Sequence, residues 1–288
     1  MENTIDITQT IIDTINTIFE SLFSSIDNSL YDVLDKITFI SSDILNDNHF
    51  NAIFGTSTSS GILLISNSFL LGFLLYYAVR YLMAHLTFTQ SELPSRFLIK
   101  LVLCGIFMNF SFSCLEIFID FNNNVCLAIR SLGETLFNKN ICFSELINII
   151  NSQMSIDTSS LNLFSLDGLI KSVLSVSLLS LVFSYSLRYI FIKVFILLAP
   201  FAILSLSLQN TSWFFKSWIR NLFALLLLQI IVSLVLLILF SMDYSSSNLF
   251  SKFIYVGGIY ALIRANSFIR EFIGGVSTQV TQSVKRLF

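Results

Sequence analysis

The sequence predicts an all-α, polytopic helical membrane protein, and three observations carry that prediction. Of its 288 residues 55% are hydrophobic and 12% charged, about half the charged share that coats an ordinary soluble domain. The mean hydropathy is +0.79. Five stretches reach the roughly 20 mostly apolar residues that a helix needs to cross a ~30 Å hydrocarbon core: Gly61–Val79, Phe97–Phe118, Gly168–Leu187, Tyr189–Leu208 and Leu222–Ser241. Each must be helical, because lipid offers backbone amides and carbonyls no hydrogen-bond partner. Thirty Phe, ten Gly and two Pro also exclude disordered, collagen-like and linker chains.

The chain divides along these stretches. Residues 1–60 hold nine acids and one base, Lys36, and lack the basic start and short apolar run of a cleaved signal peptide. Within them Ile11, Ile15, Ile18, Leu22, Ile26, Leu30, Val33, Ile37 and Ile40 recur three or four residues apart, with Asp6, Asp13, Glu20, Asp27 and Asp35 opposite. That is one stripe of an amphipathic helix or helix pair, set against the outer leaflet or a neighbouring subunit. Residues 61–118 are the first two spans, and 119–167 an Asn- and Ser-rich extracytoplasmic loop with an amphipathic stretch from Cys142 to Met154. Residues 168–241 hold the third, fourth and fifth spans. In 242–288 the apolar run Phe253–Ile263, interrupted by Gly257 and Gly258, makes a sixth span only if it borrows its flanks; a cytoplasmic amphipathic tail follows.

Lys and Arg set the orientation. An amino terminus outside and five crossings place Arg80, Arg96, Lys100, Arg188, Lys193 and all bases from Lys252 onward inside, leaving Lys36, Arg130, Lys139, Lys171, Lys216 and Arg220 outside. The reverse orientation inverts this bias, so the carboxyl terminus is expected inside. Lys216 and Arg220 are the discord, two bases in a short outer hairpin.

The sequence carries no catalytic pattern of the HExxH, GxSxG, GxGxxG or Walker A kind. No enzyme activity, cofactor or metal is expected. His49 and His85 are the only histidines and no CxxC pair occurs, so zinc ligation has no framework. Cys104 and Cys114 read as small buried hydrophobes. Cys126 and Cys142 fall in the loop, where a disulfide is open to them if the compartment is oxidising. No polybasic run supports stable nucleic-acid binding.

Polar residues at membrane depth are informative because burying a charge there costs at least ~2.5–3.5 kcal/mol. Arg188 and Lys193 flank the fourth span and either snorkel to headgroups or line an aqueous path. Asn109 and Gln229 lie mid-span, where amides commonly tie helices together. Pro200, in Leu198-Ala199-Pro200-Phe201-Ala202, removes a backbone hydrogen bond and kinks its helix. Trp213-Phe214-Phe215-Lys216-Ser217-Trp218-Ile219-Arg220 follows, with Lys216 and Arg220 spaced i, i+4 on one face. It is an interfacial anchor or a surface that meets a partner or substrate.

Tyr189–Ala202, the Trp213–Arg220 hairpin and the Leu-rich fifth span together resemble the TrbL-like polytopic channel component of type IV secretion (conjugation) systems. The resemblance extends over most of Gly61 to about Gly275, departing in the weak last span and the lack of a long soluble extension. It implies a non-enzymatic subunit of a translocation apparatus in the bacterial cytoplasmic membrane, homo-oligomeric, served by separate ATPases and other secretion subunits. Single-stranded DNA or protein would be transient cargo. Under it Arg188, Lys193, Pro200, Trp213, Lys216, Trp218, Arg220 and Gln229 are the candidate channel or assembly residues. The competing classes are a solute permease, which would call for repeated halves and midspan acids that are absent here, and a purely structural membrane scaffold.

Overall fold

The computed structural model describes residues 14, 28–55, 61–88, 93–153, 166–242 and 249–273, and among them every regular element is helical. The stripe from Ile11 to Ile26 with its acids, residues 154–165 and the tail beyond 273 lie outside the described residues.

α1 (Asn28–Thr38) carries the end of the amphipathic segment. A turn at Ser42–Ile44 leads to α2 (Asn48–Phe54), capped by the Asp47 side chain accepting the His49 N–H and closed by Gly55 in the left-handed region at φ 98°. α3 (Ile62–Leu86) and α4 (Pro94–Asn109) run antiparallel. Their contacts are a stacked Tyr77–Phe97 pair with centroids 3.8 Å apart and a reciprocal amide pair between Asn67 and Asn109 at 3.4 and 3.5 Å. Asn109 thus ties two helices.

α5 (Ser111–Phe137) follows α4 after the single residue Phe110. The expected span Phe97–Phe118 is therefore two helices meeting at a bend, and residues 119–137 of the expected loop are helical. The Asn-rich composition reads as a loop, but Ile119, Asn122, Cys126 and Gly133 are buried at spacings of three, four and seven, which is one helical face laid on α8. α6 (Phe143–Gln153) is the amphipathic stretch of that loop.

α7 (Leu166–Leu204) is one unbroken helix of 39 residues, about 58 Å long. The two spans expected at Gly168–Leu187 and Tyr189–Leu208 are its two halves. Two tight turns, Ser205–Ser207 and Gln209–Thr211, join it to α8 (Ser212–Ser241), so Trp213–Arg220 forms the first turns of a helix rather than a hairpin. α9 (Leu249–Ile273) is continuous through Gly257 and Gly258. A Cβ at Gly257 would meet nothing within 4 Å, whereas one at Gly258 would collide with the Leu239 side chain; the second glycine lets α9 approach α8 closely.

Among the described residues four segments are long and apolar enough to cross a membrane: α3, α5, residues 176–207 through most of α7, and α8; the apolar part of α9, Phe253–Ile269, is shorter. The chain is an all-α polytopic membrane protein. Its outer faces match that solvent, with Leu71, Leu75 and Leu82 of α3 all more than 60% exposed. Such an apolar exterior is tolerated in lipid or against partners, not in water.

Inside, α7 and α8 cross two apolar cores. One gathers Leu34, Phe143, Leu146, Leu181, Tyr185, Leu236 and Leu262 from α1, α6, α7, α8 and α9. The other gathers Ile40, Phe50, Phe54, Ile119, Ile196 and Leu222. On α7 the division falls between Tyr185 and Ile192, and on the amino-terminal segment between Leu34 and Ile40. Arg188 and Thr38 occupy the gap.

Candidate functional site

A long cationic side chain buried in a helical bundle needs acceptors for its N–H groups, and α1 and α8 converge on α7 to supply them. Arg188 is fully buried. Its Nε donates to the Leu225 carbonyl at 2.8 Å, Nη1 to the Thr38 carbonyl at 2.8 Å and Nη2 to Gln229 Oε1 at 3.4 Å. All three acceptors are uncharged. Thr38 closes α1, and the last carbonyls of a helix lack intrahelical donors and carry the negative end of its dipole. The cation therefore sits where α1 offers a carbonyl and partial negative charge. Snorkelling to headgroups does not occur here; the internal acceptors remove the need for it, and the same acceptors let α7 continue unbroken through Arg188.

Gln229 completes the clamp. Its Oε1 accepts the Ile40 N–H and its Nε2 donates to the Ile40 carbonyl, each at 3.2 Å, so one side-chain amide satisfies both backbone groups of a residue beyond the end of α1. Ser233, one turn along α8, donates its hydroxyl to the Gln229 carbonyl at 3.0 Å. Tyr185, one turn before Arg188, donates to the Leu262 carbonyl of α9 at 3.2 Å. A polar layer thus links α1, α7, α8 and α9 between the two apolar cores.

A second polar junction holds the other part of α1. The Asp35 carboxylate accepts the N–H groups of Phe143 at 2.9 Å and Ser144 at 3.3 Å, the otherwise unpartnered first amides of α6. Arg130 donates from Nε to the Ile141 carbonyl at 2.7 Å and lies 4.5 Å over the Phe39 ring. Burial raises the Asp35 carboxyl above its ordinary range, opposed by the two amides and by Arg130. Asp35, expected on the solvent-facing stripe, is a helix cap supplied from another helix.

Lys193 is partly exposed, 3.8 Å from the Asp47 carboxylate, with its ammonium over the rings of Tyr189 and Phe50 at 5.3 and 5.4 Å. Pro200 is buried inside α7 and deprives the Ile196 carbonyl of its helical donor. Beside that gap the Trp218 indole donates to the Phe195 carbonyl at 2.8 Å, pinning the start of α8 to α7. The aromatic–basic segment therefore separates into two faces. Trp218 is buried, while Trp213, Lys216 and Arg220 are exposed at i, i+3, i+7 on one side.

The structure brings Arg188 and Gln229 together and Trp218 against the turn preceding Pro200; Lys193 and the Trp213–Lys216–Arg220 face are separate. Thr38, Ile40 and Asp35 escaped sequence reasoning. Two of them act through backbone groups, and Asp35 meets residues over a hundred positions away. The disulfide left open between Cys126 and Cys142 is not formed: both thiols are free and buried. Cys126 faces α8, while Cys142 Sγ lies 3.0 Å from Ser144 Oγ and accepts the Glu145 N–H at 3.4 Å. Cys104 is buried as expected, but Cys114 is exposed. Among the described residues no cluster of His, Cys, Asp or Glu could hold a metal ion.

Fold and site together define an integral-membrane helical bundle with an exposed basic–aromatic face at the start of α8. No protein-family model, curated protein or solved structure matches the chain.

Proposed function

We propose that this chain is a non-enzymatic channel or scaffold subunit of a type IV secretion (conjugative) apparatus in the bacterial cytoplasmic membrane. The observation that carries the reading is the division of labour at the start of α8. Trp218 anchors the helix internally through its indole N–H, and that anchor leaves Trp213, Lys216 and Arg220 presented outward with no described ion-pair partner. An exposed Trp beside two bases is an expected assembly surface, since Trp and Arg dominate binding hot spots. The resemblance of Tyr189–Arg220 to TrbL-like components supplies the apparatus. Partners would be other secretion subunits, their ATPases and further copies of this chain, with single-stranded DNA or protein passing transiently.

The single helix α7 also bears on orientation. Between the bases of the α3–α4 connection and the α7–α8 corner the chain makes two crossings, one along the bent α4–α5 path and one along α7, instead of three. Lys216 and Arg220 then fall on the same side as Arg80, Arg96 and Lys100, and the discord with the positive-inside bias disappears. With α9 as a fifth crossing, the amino terminus is outside and the carboxyl terminus inside.

Crosslinking during active transfer, with recovery of this protein, tests the reading. Transferred strand in the precipitate, lost in Lys216→Ala/Arg220→Ala while the subunits still assemble, supports a channel subunit. Loss of partner subunits in that variant supports a scaffold. Recovery of neither strand nor secretion subunits with the native protein contradicts both.

A further inference from the structure

We propose that the bend between α4 and α5 holds one acyl chain of an anionic phospholipid, with the headgroup phosphate at Lys100. A cavity of about 570 Å³ lies between this bend and the α7–α8 corner. One wall is a continuous stripe, Lys100, Leu103 and Phe107 on α4 and Cys114, Leu115 and Phe118 on α5. Eighteen residues of helical rise make it about 27 Å along the chain, longer than the ~15 Å spanned by one leaflet's chains. Ala199, Ile203, Phe215 and Trp218 form the facing wall.

The chemistry of the lining selects the occupant. Its polar groups besides Lys100 are two thiols, the Ser111 hydroxyl, already donated to the Met108 carbonyl at 2.6 Å, and the Trp218 indole N–H, already donated to the Phe195 carbonyl at 2.8 Å. A polar solute finds no orienting partner there, and an apolar cavity of this kind does not hold ordered water. The opening lies on the α4 side, where the lining residues Leu103 and Phe107 are 48% and 58% exposed, while Cys104 and Trp218 form a buried floor. In a membrane protein that opening faces acyl chains.

Charge completes the argument. Lys100 is the only charged lining residue, and no acid lines the cavity. Arg96 lies one turn before it on α4, and Lys216 and Arg220 directly follow the lining residues Phe215 and Ile219. Lys100 in the lining and Arg96 one turn before it make this end of the α4 wall basic, which favours a phosphate bearing net negative charge over a zwitterion.

The inference rests on membrane embedding alone and is independent of any secretion role. The test uses the full-length protein in mild detergent, titrated with phosphatidylglycerol or phosphatidylcholine and read by native mass spectrometry. We expect phosphatidylglycerol adducts to exceed phosphatidylcholine adducts about fivefold, the preference conferred by one basic contact. Lys100→Gln should abolish that preference and leave phosphatidylcholine binding unchanged. Cys114→Trp should fill the groove and remove both adducts, with Leu103→Trp closing it from the exposed side should the first variant not fold. Equal adducts of the two lipids on the native protein, a preference that survives Lys100→Gln, or adducts that survive the tryptophan would each overturn the proposal.

Discussion

Arg188 shows how a single buried charge can organise a bundle without an acidic partner. Its guanidinium spreads three N–H groups over three acceptors from two separate segments, α1 and α8, a geometry that only the planar fork provides. Replacing it with Met leaves the Thr38 carbonyl and Gln229 Oε1 with fewer donors, at about 1–3 kcal/mol for each buried acceptor left unsatisfied. Arg188→Met should therefore lower stability by about 2–4 kcal/mol in detergent unfolding and speed hydrogen exchange at Ile40. Unchanged exchange there would show that the clamp does not hold the end of α1. Lys at this position should fall between the two, keeping the charge and losing the fork.

Asp35 makes the complementary case for an acid. Because its folded-state carboxyl titrates above the ordinary value of 3.8, the folded chain retains the proton over a range where the unfolded chain has lost it. Stability must then fall as pH rises from 3.8 towards the raised value, and level off above it. Asp35→Asn keeps an acceptor for one α6 amide and removes that slope. A difference curve between native protein and variant that is flat across the window would contradict the assignment.

Among the elements, α3 and α8 were legible in the sequence because no charged residue interrupts the apolar runs Gly61–Val79 and Leu222–Ser241. α7 was not. Arg188 in the middle of 39 helical residues looks like a loop residue when its partners are unknown, and those partners are two backbone carbonyls and an amide from distant segments. α5 was obscured in the same way: its Asn and Asp residues lower the hydropathy although its Ile119–Cys126–Gly133 face is buried. The glycine pair in α9 was read as an interruption, yet its two members differ. Gly257→Ala should stabilise α9 by about 0.5–1 kcal/mol, since the position is open and Ala is the better helix former. Gly258→Val should destabilise it by pushing against Leu239, by about 1–3 kcal/mol for an overpacked site. Unfolding midpoints of the two variants moving in the same direction would show that α9 does not pack on α8 through this face.

At the scale of the whole molecule, the count of crossings carries the argument. The composition already indicated a helical bundle in lipid, and the basic residues carry the proposed orientation. Reading the 39 residues of α7 as two spans puts Lys216 and Arg220 opposite the other bases, whereas one crossing through α7 puts them on the same side. Under the proposed orientation, the face proposed to meet partners would lie on the cytoplasmic side. The candidate site was half legible: the Trp–Lys–Trp–Arg segment stands out in the sequence, but only the buried Trp218 and exposed Trp213 separate its anchor from its surface.

The most direct measurement is single-cysteine labelling in intact cells with a membrane-impermeant maleimide, on a background lacking the four native cysteines. A cysteine at Lys216 should be protected until the cells are opened, and one at Lys139, beyond the end of α5, should react from outside. Labelling of position 216 in intact cells, or protection of both positions, would contradict the two-crossing path through α5 and α7 and the cytoplasmic partner face built on it.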